Sequence, residues 1–128
     1  MGGDVSSVQA DQAHIQASRQ VTEALNYTLH ELRSPTGAVI REYASRSGKV
    51  FAVSWHGTSH PDMKQLLGSH FEEFQQAAQA QNRNGRHGPL IVHQPGLIVE
   101  FGGHMRDFAG RAYLPDQMPS GVLVEEIR

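Results

Sequence analysis

The hydrophobic period of this chain changes from two residues to about 3.6 and back again, and that order limits the folds open to it. The clearest period-two stretch is residues 49–55. Phe51, Val53 and Trp55 fall on one side of an extended strand, and Val50, Ala52 and Ser54 on the other. Residues 27–32 and 38–43 also read as strands. They are joined by Ser34-Pro35-Thr36-Gly37, and a second turn, Ser45-Arg46-Ser47-Gly48, follows with the same chemistry. From Pro61 the spacing turns helical: Met63, Leu66, Leu67, Phe71, Phe74, Ala77 and Ala78 make one apolar stripe through residue 81. Gly68 interrupts this stripe and marks close packing or a local weakness. Strands return at 90–93 and 97–101 around Pro95-Gly96, a type II turn signature, and Gly102-Gly103 is expected to end the second of them. A further strand is expected at 105–114.

Strands segregated on either side of one helix predict an α+β fold, not a parallel βαβ sheet. The expected architecture is an antiparallel sheet of about five to six strands, a meander then a hairpin, packed on one long central helix. The 128 residues suit a single domain. Within it, residues 1–18 form a short N-terminal helix or an arm, 19–55 a three-stranded meander, 61–81 the amphipathic helix, 89–114 the C-terminal strands and 115–128 a tail. Ser6-Ser7-Val8-Gln9 has the form of a capping box for the first helix, which is expected to run to about residue 17. Pro61 suits the first position of the long helix, and Asp62 its first turn.

With no cysteine, the chain has no disulfide framework, thiolate metal site or thiol nucleophile. Eleven basic and 13 acidic residues are spread evenly, without the basic patch expected of a nucleic-acid binder. The longest apolar run, residues 50–53, is far short of the roughly 20 residues of a membrane span, so the domain reads as soluble with no transmembrane segment. Met1-Gly2 through Ser6 fits the loose N-myristoylation pattern; the competing reading is a mature chain whose export signal has been cut away. No phosphate-binding loop, dinucleotide fingerprint or nucleophile elbow is present around Gly102-Gly103 or Ser54, and no cofactor is expected.

Histidine is the unusual count, at eight. His56 and His60 are four apart, a chelating spacing on a helix, but Gly57 and Pro61 put them in a turn. A metal site there needs a third ligand, for which His104 or Asp62 are the candidates, and Met63 and Met105 would allow copper(I). Trp55-His56-Gly57 and Gly102-Gly103-His104-Met105-Arg106 each end an expected strand, where binding groups collect. Trp55, His56, His104 and Arg106 are therefore the candidate binding residues; a His–Arg pair beside an aromatic suits an anion or acid–base chemistry. The structural alternative is a core Trp55, turn glycines and surface His104 and Arg106. No catalytic residue is assigned.

Gly2-Gly3-Asp4 with Ser6-Ser7, Tyr27-Thr28-Leu29-His30-Glu31-Leu32, Arg41-Glu42-Tyr43, Phe51-Ala52-Val53-Ser54-Trp55-His56-Gly57, Gly102-Gly103-His104-Met105-Arg106, Gly110-Arg111-Ala112-Tyr113 and Pro119-Ser120-Gly121-Val122 follow one another along the chain. Together these segments resemble a proteobacterial family of exported proteins, domain of unknown function 2844. The resemblance implies a precursor with an export signal, a periplasmic or extracellular location, and no assigned activity. Two readings follow. The first is an extracytoplasmic binding or interaction module whose exposed sheet face or strand-end loops meet a protein or cell-envelope partner. The second is a small enzyme or metal-binding protein using His56, His60, His104 and Arg106. They part on whether His56 and His104 converge.

Overall fold

The computed structural model describes residues 1–59, 61–83, 90–104 and 106–128. Strands β1 (Ser18–Glu23), β2 (Tyr27–Arg33), β3 (Val39–Ser45) and β4 (Val50–Gly57) form an antiparallel meander. The two glycine-ended turns shape it as expected, with Gly37 and Gly48 at φ 89° and 86°. A helical connection then crosses one face of the sheet. Strands β5 (Ile91–Gln94), β6 (Leu97–His104) and β7 (Asp107–Tyr113) follow, and β7 pairs with β4. The result is one seven-stranded antiparallel sheet in the order β1-β2-β3-β4-β7-β6-β5. The fold is α+β.

The differences from the sequence reading have local causes. Strand β1 adds to the expected meander; its residues are mostly exposed and polar, so it carries little hydrophobic signal. Strand β6 runs on through Gly102-Gly103 because its ladder to β7 continues to the His104–Asp107 pair. Gly96 does not take a positive φ, so the Pro95-Gly96 turn is not type II. The strict alternation in β4 fails at a bulge. The β3–β4 register shifts between Tyr43 and Ala44, leaving Phe51 unmatched, so Val50 joins Val53 and Trp55 on one face while Phe51 joins Ala52 on the other.

Helix α1 spans Ser6–His14, ending before residue 17. Its start is not a Ser6 capping box. Val5 is the N-cap residue without a side-chain bond, and the Asp4 carboxylate accepts from the Ser6 backbone N–H at 2.9 Å and from the Ser6 hydroxyl. Those hydrogen bonds hold Asp4 below its ordinary pKa. The central helical run comprises α2 (Met63–Leu67) and α3 (Phe71–Arg83), joined by a 3-10 turn at Gly68–His70. Gly68 at φ 57° supplies the break, a conformation L-residues with side chains rarely hold. Asp62 is the N-cap, accepting from Gln65 N–H at 3.3 Å, which places Pro61 outside the helix. The predicted stripe faces the sheet: Leu66, Leu67 and Phe74 are buried, and Met63, Phe71, Ala77 and Ala78 pack beside them. Each fully buried large apolar side chain contributes roughly 1.5–3 kcal/mol.

The opposite face is not open. Residues 115–128 fold back over it in two 3-10 turns, Pro115–Gln117 and Val124–Glu126. Val122 and Ile127 are buried against Tyr43, Phe51, Ala52 and Tyr113, with Tyr27, Leu29, Ile98, Met118 and Val124 around them. The sheet is thus sandwiched, and β4 is buried on both faces from Val50 to Trp55.

Candidate functional site

Alternation at the end of β4 sends its two candidate residues in opposite directions. Trp55 turns to the helix face and is 4% exposed. Its ring lies 5.2 Å from that of Phe101, which stacks on toward Phe74 at 5.6 Å. Beneath it is Gly110, its register partner on β7. A Cβ there would sit 2.4 Å from Trp55 Cζ2 and 2.6 Å from the Glu100 carbonyl, so only glycine fits. Trp55 is a core residue. Its Nε1 is nonetheless buried without a hydrogen-bond partner among the described residues.

His56 turns to the tail face, and its side chain is 60% exposed. Its register partner is Ala109, and two residues nearer the hairpin Asp107 reaches across, with Oδ1 2.7 Å from His56 Nε2. The β6–β7 register sets the His104 backbone directly opposite Asp107. His56 and His104 therefore belong to one end of the sheet, two β7 residues apart. Arg106 lies in the hairpin turn at φ 67°, exposed to solvent.

One row further into the same face, pairing aligns Glu31, Arg41, Ser54, Arg111 and Glu100 across five strands. Opposite charges meet at both ends: Arg41 Nε donates to Glu31 Oε2 at 2.9 Å, and Arg111 Nε donates to Glu100 Oε2. Burial opposes ionisation of Glu31, but hydrogen bonds from Arg41 and Arg33 outweigh it and hold its carboxyl below the ordinary range. The tail docks on this row through main-chain carbonyls. Arg111 donates to the carbonyls of Val124 and Ile127 at 3.0 and 3.3 Å, and Ser54 and Arg41 donate to that of Arg128 at 2.6 and 3.0 Å. Ser54 is 1% exposed and its hydroxyl is committed to the tail.

Between the tail and the strand ends lies an open groove of about 550 Å³. Arg41, Glu100 and Arg111 give it charge, His56 adds a polar imidazole, and Ile91 and Ile127 give it apolar wall. A second cavity of about 380 Å³ opens where Ile15 and Gln16, beyond the end of α1, meet Pro35, Val39 and Pro61. Trp55 and His56 line both. Sequence reasoning found His56 but missed Asp107, Arg41, Glu100 and Arg111. Asp107, Arg111 and Glu100 reach this end of β4 only through the β4–β7 pairing, which joins strands roughly fifty to sixty residues apart and leaves no local pattern, and Arg41 falls in their row through the β3–β4 register.

Among the described residues no three His, Cys, Asp or Glu side chains gather as a metal site. His60 and Met105 lie outside the described residues. Of the other suggested ligands, Met63 packs against the core, and Asp62 caps α2 and meets His14 Nε2 at 3.2 Å. No described helix is long and apolar enough to cross a membrane.

Fold and groove define a cysteine-free α+β domain with an antiparallel sheet covered on both faces and a charged cleft at one end. The family model described as protein of unknown function (DUF2844) matches residues 1–127, and the chain belongs to that family. No curated protein and no solved structure gives a significant match.

Proposed function

We propose that this domain is a binding module of the bacterial cell envelope, acting outside the cytoplasm, and that its partner seats in the groove between the tail and the ends of β4, β6 and β7. The observation that carries the reading is the groove itself. Its volume of about 550 Å³ lies in the range of ligand sites, and it sets apolar wall beside a few fixed polar groups. Arg41 and Arg111 are held in place by Glu31, Glu100 and the tail carbonyls, so the N–H groups they do not spend there are oriented at little further entropic cost. The exposed His56–Asp107 pair stands at the mouth. The export-associated resemblance supports the location.

Retention of an envelope component by the immobilised domain tests this. Wild type is expected to capture a component that His56→Ala and Asp107→Ala lose while remaining folded. Amide exchange in the complex should slow in residues 98–111 and not in β1. Capture that is indifferent to both variants, or protection confined to β1, would sink the proposal.

The His56–Asp107 contact of 2.7 Å favours a second reading, an acid–base site in which the carboxylate orients the imidazole. A proton-transfer or hydrolytic activity lost in His56→Ala and kept in Arg106→Ala would establish it over the first.

A further inference from the structure

Under α1 the sheet carries a buried polar cluster that neither cavity uses. Glu42 on β3 is fully buried, and Asp11 on the inner side of α1 is 3% exposed. Asp11 Oδ1 accepts from Gln65 Nε2 at 2.9 Å, which ties α1 to α2. Asp11 Oδ2 and both Glu42 carboxyl oxygens have no other hydrogen-bond partner among the described residues. Two carboxylates in contact and out of water repel; Glu42 has no donor, and Asp11 has one on Oδ1 alone. One proton between them removes the repulsion and pairs Asp11 Oδ2 with one Glu42 oxygen, because a protonated carboxyl donates and a carboxylate accepts.

We propose that Glu42 is protonated and donates to Asp11, and that this shared proton is a latch holding α1 on the sheet and loosening as the proton is withdrawn. The surroundings agree. Burial, followed by the hydrogen bond and the charge of Asp11, pushes Glu42 up to about 9. The Met1 ammonium, which donates to the Leu66 carbonyl at 2.8 Å, and Arg19 on β1 pull the other way without cancelling it. His30, the register partner on β2, accepts from Arg19 at Nδ1 and is kept neutral by burial and by that guanidinium. On β4 the register partner is the apolar Val53. Ile15 and Gln16, immediately after α1, wall the cavity at Trp55, so release of the helix removes one side of that cavity.

The sign follows from linkage. The closed state holds the Glu42 proton up to about pH 9, whereas an opened state with Glu42 in water loses it near 4.5. Between those limits every opening releases a proton, so the opening constant of α1 rises up to roughly tenfold per pH unit and levels off above. His30 and the Met1 ammonium, both lowered first by burial, bind protons on opening below their ordinary 6.5 and 8.0 and act in the opposite sense. The Glu42 contribution is therefore read as the difference between wild type and Glu42→Gln, whose amide can still donate to Asp11 but does not titrate.

The experiment is amide hydrogen exchange of residues 8–14 from pH 5 to 9, corrected for intrinsic exchange, together with the Glu42 carboxyl ¹³C shift at pH 7. A protonated shift and an opening constant that climbs with pH more steeply in wild type than in Glu42→Gln are expected. An ionised shift, or parallel profiles in the two proteins, would overturn the latch. Should Glu42→Gln fail to fold, Asp11→Asn replaces it. Without the neighbouring charge Glu42 should ionise earlier, so the rise should level off at a lower pH. An Asp11→Asn profile identical to wild type would equally overturn the proposal.

Discussion

Gly110→Ala puts the packing of the strand-end site to a direct test. A methyl at this position would meet Trp55 Cζ2 at 2.4 Å and Cε2 at 2.6 Å, with the Glu100 carbonyl also at 2.6 Å. Carbon atoms rest about 3.5–4.0 Å apart, so the overlap exceeds roughly 1 Å. Neither obstacle yields easily. The carbonyl belongs to the β6 main chain, and the indole is backed by Phe101 at 5.2 Å. Overpacking costs about 1–3 kcal/mol, and two rigid walls put this case at about 3 kcal/mol. Urea unfolding followed by fluorescence reads it cleanly, because Trp55 is the only tryptophan. With a slope of about 2 kcal/mol/M, the midpoint should fall by about 1.5 M at unchanged slope. Gly102→Ala is the control. It lies in the same sheet without positive φ, its Cβ would meet nothing nearer than the Ala109 carbonyl at 3.9 Å, and its midpoint should move by less than about 0.3 M. A Gly110→Ala midpoint within that same margin would refute the placement of the ring over β7.

Other consequences are as accessible. Arg111→Met removes the donors to Glu100, Val124 and Ile127; a loss of about 2 kcal/mol and faster exchange at residues 122–127, with β4 unchanged, should show that this side chain fastens the tail. His56→Ala and Asp107→Ala should each shift stability by less than about 1 kcal/mol, since both side chains are mostly exposed, and thermal unfolding beside the capture assay separates binding from folding. Asp62→Ala removes the α2 cap and should cost about 1 kcal/mol by urea denaturation.

Much of the scaffold is legible residue by residue. Pro35 with Gly37, and Ser45 with Gly48, announce the two hairpins, and the 63–78 stripe announces which helix face is buried. Strand β1 is not legible because Ser18–Glu23 is polar and largely exposed. The Phe51 bulge is hidden because a shift of one residue changes which face a side chain takes without changing composition. Of the four binding candidates, His56 lies in the groove, Trp55 supports it from the core, and Arg106 occupies the turn. The His104 backbone faces Asp107 across the hairpin. Asp107, Arg41, Arg111 and Glu100 look like ordinary surface charges until their strands are paired.

By itself the sequence determined the class of fold: two strand regions around one amphipathic helix, in a chain long enough to bury that helix without cysteine. Periodicity and turn chemistry are local properties, and each segment carries its own. Tertiary structure alone decided that β7 returns to β4, that residues 115–128 close the second face, and that Asp11 reaches Glu42 in the core. Those outcomes come from contacts between distant segments, whose free energy depends on what is buried together.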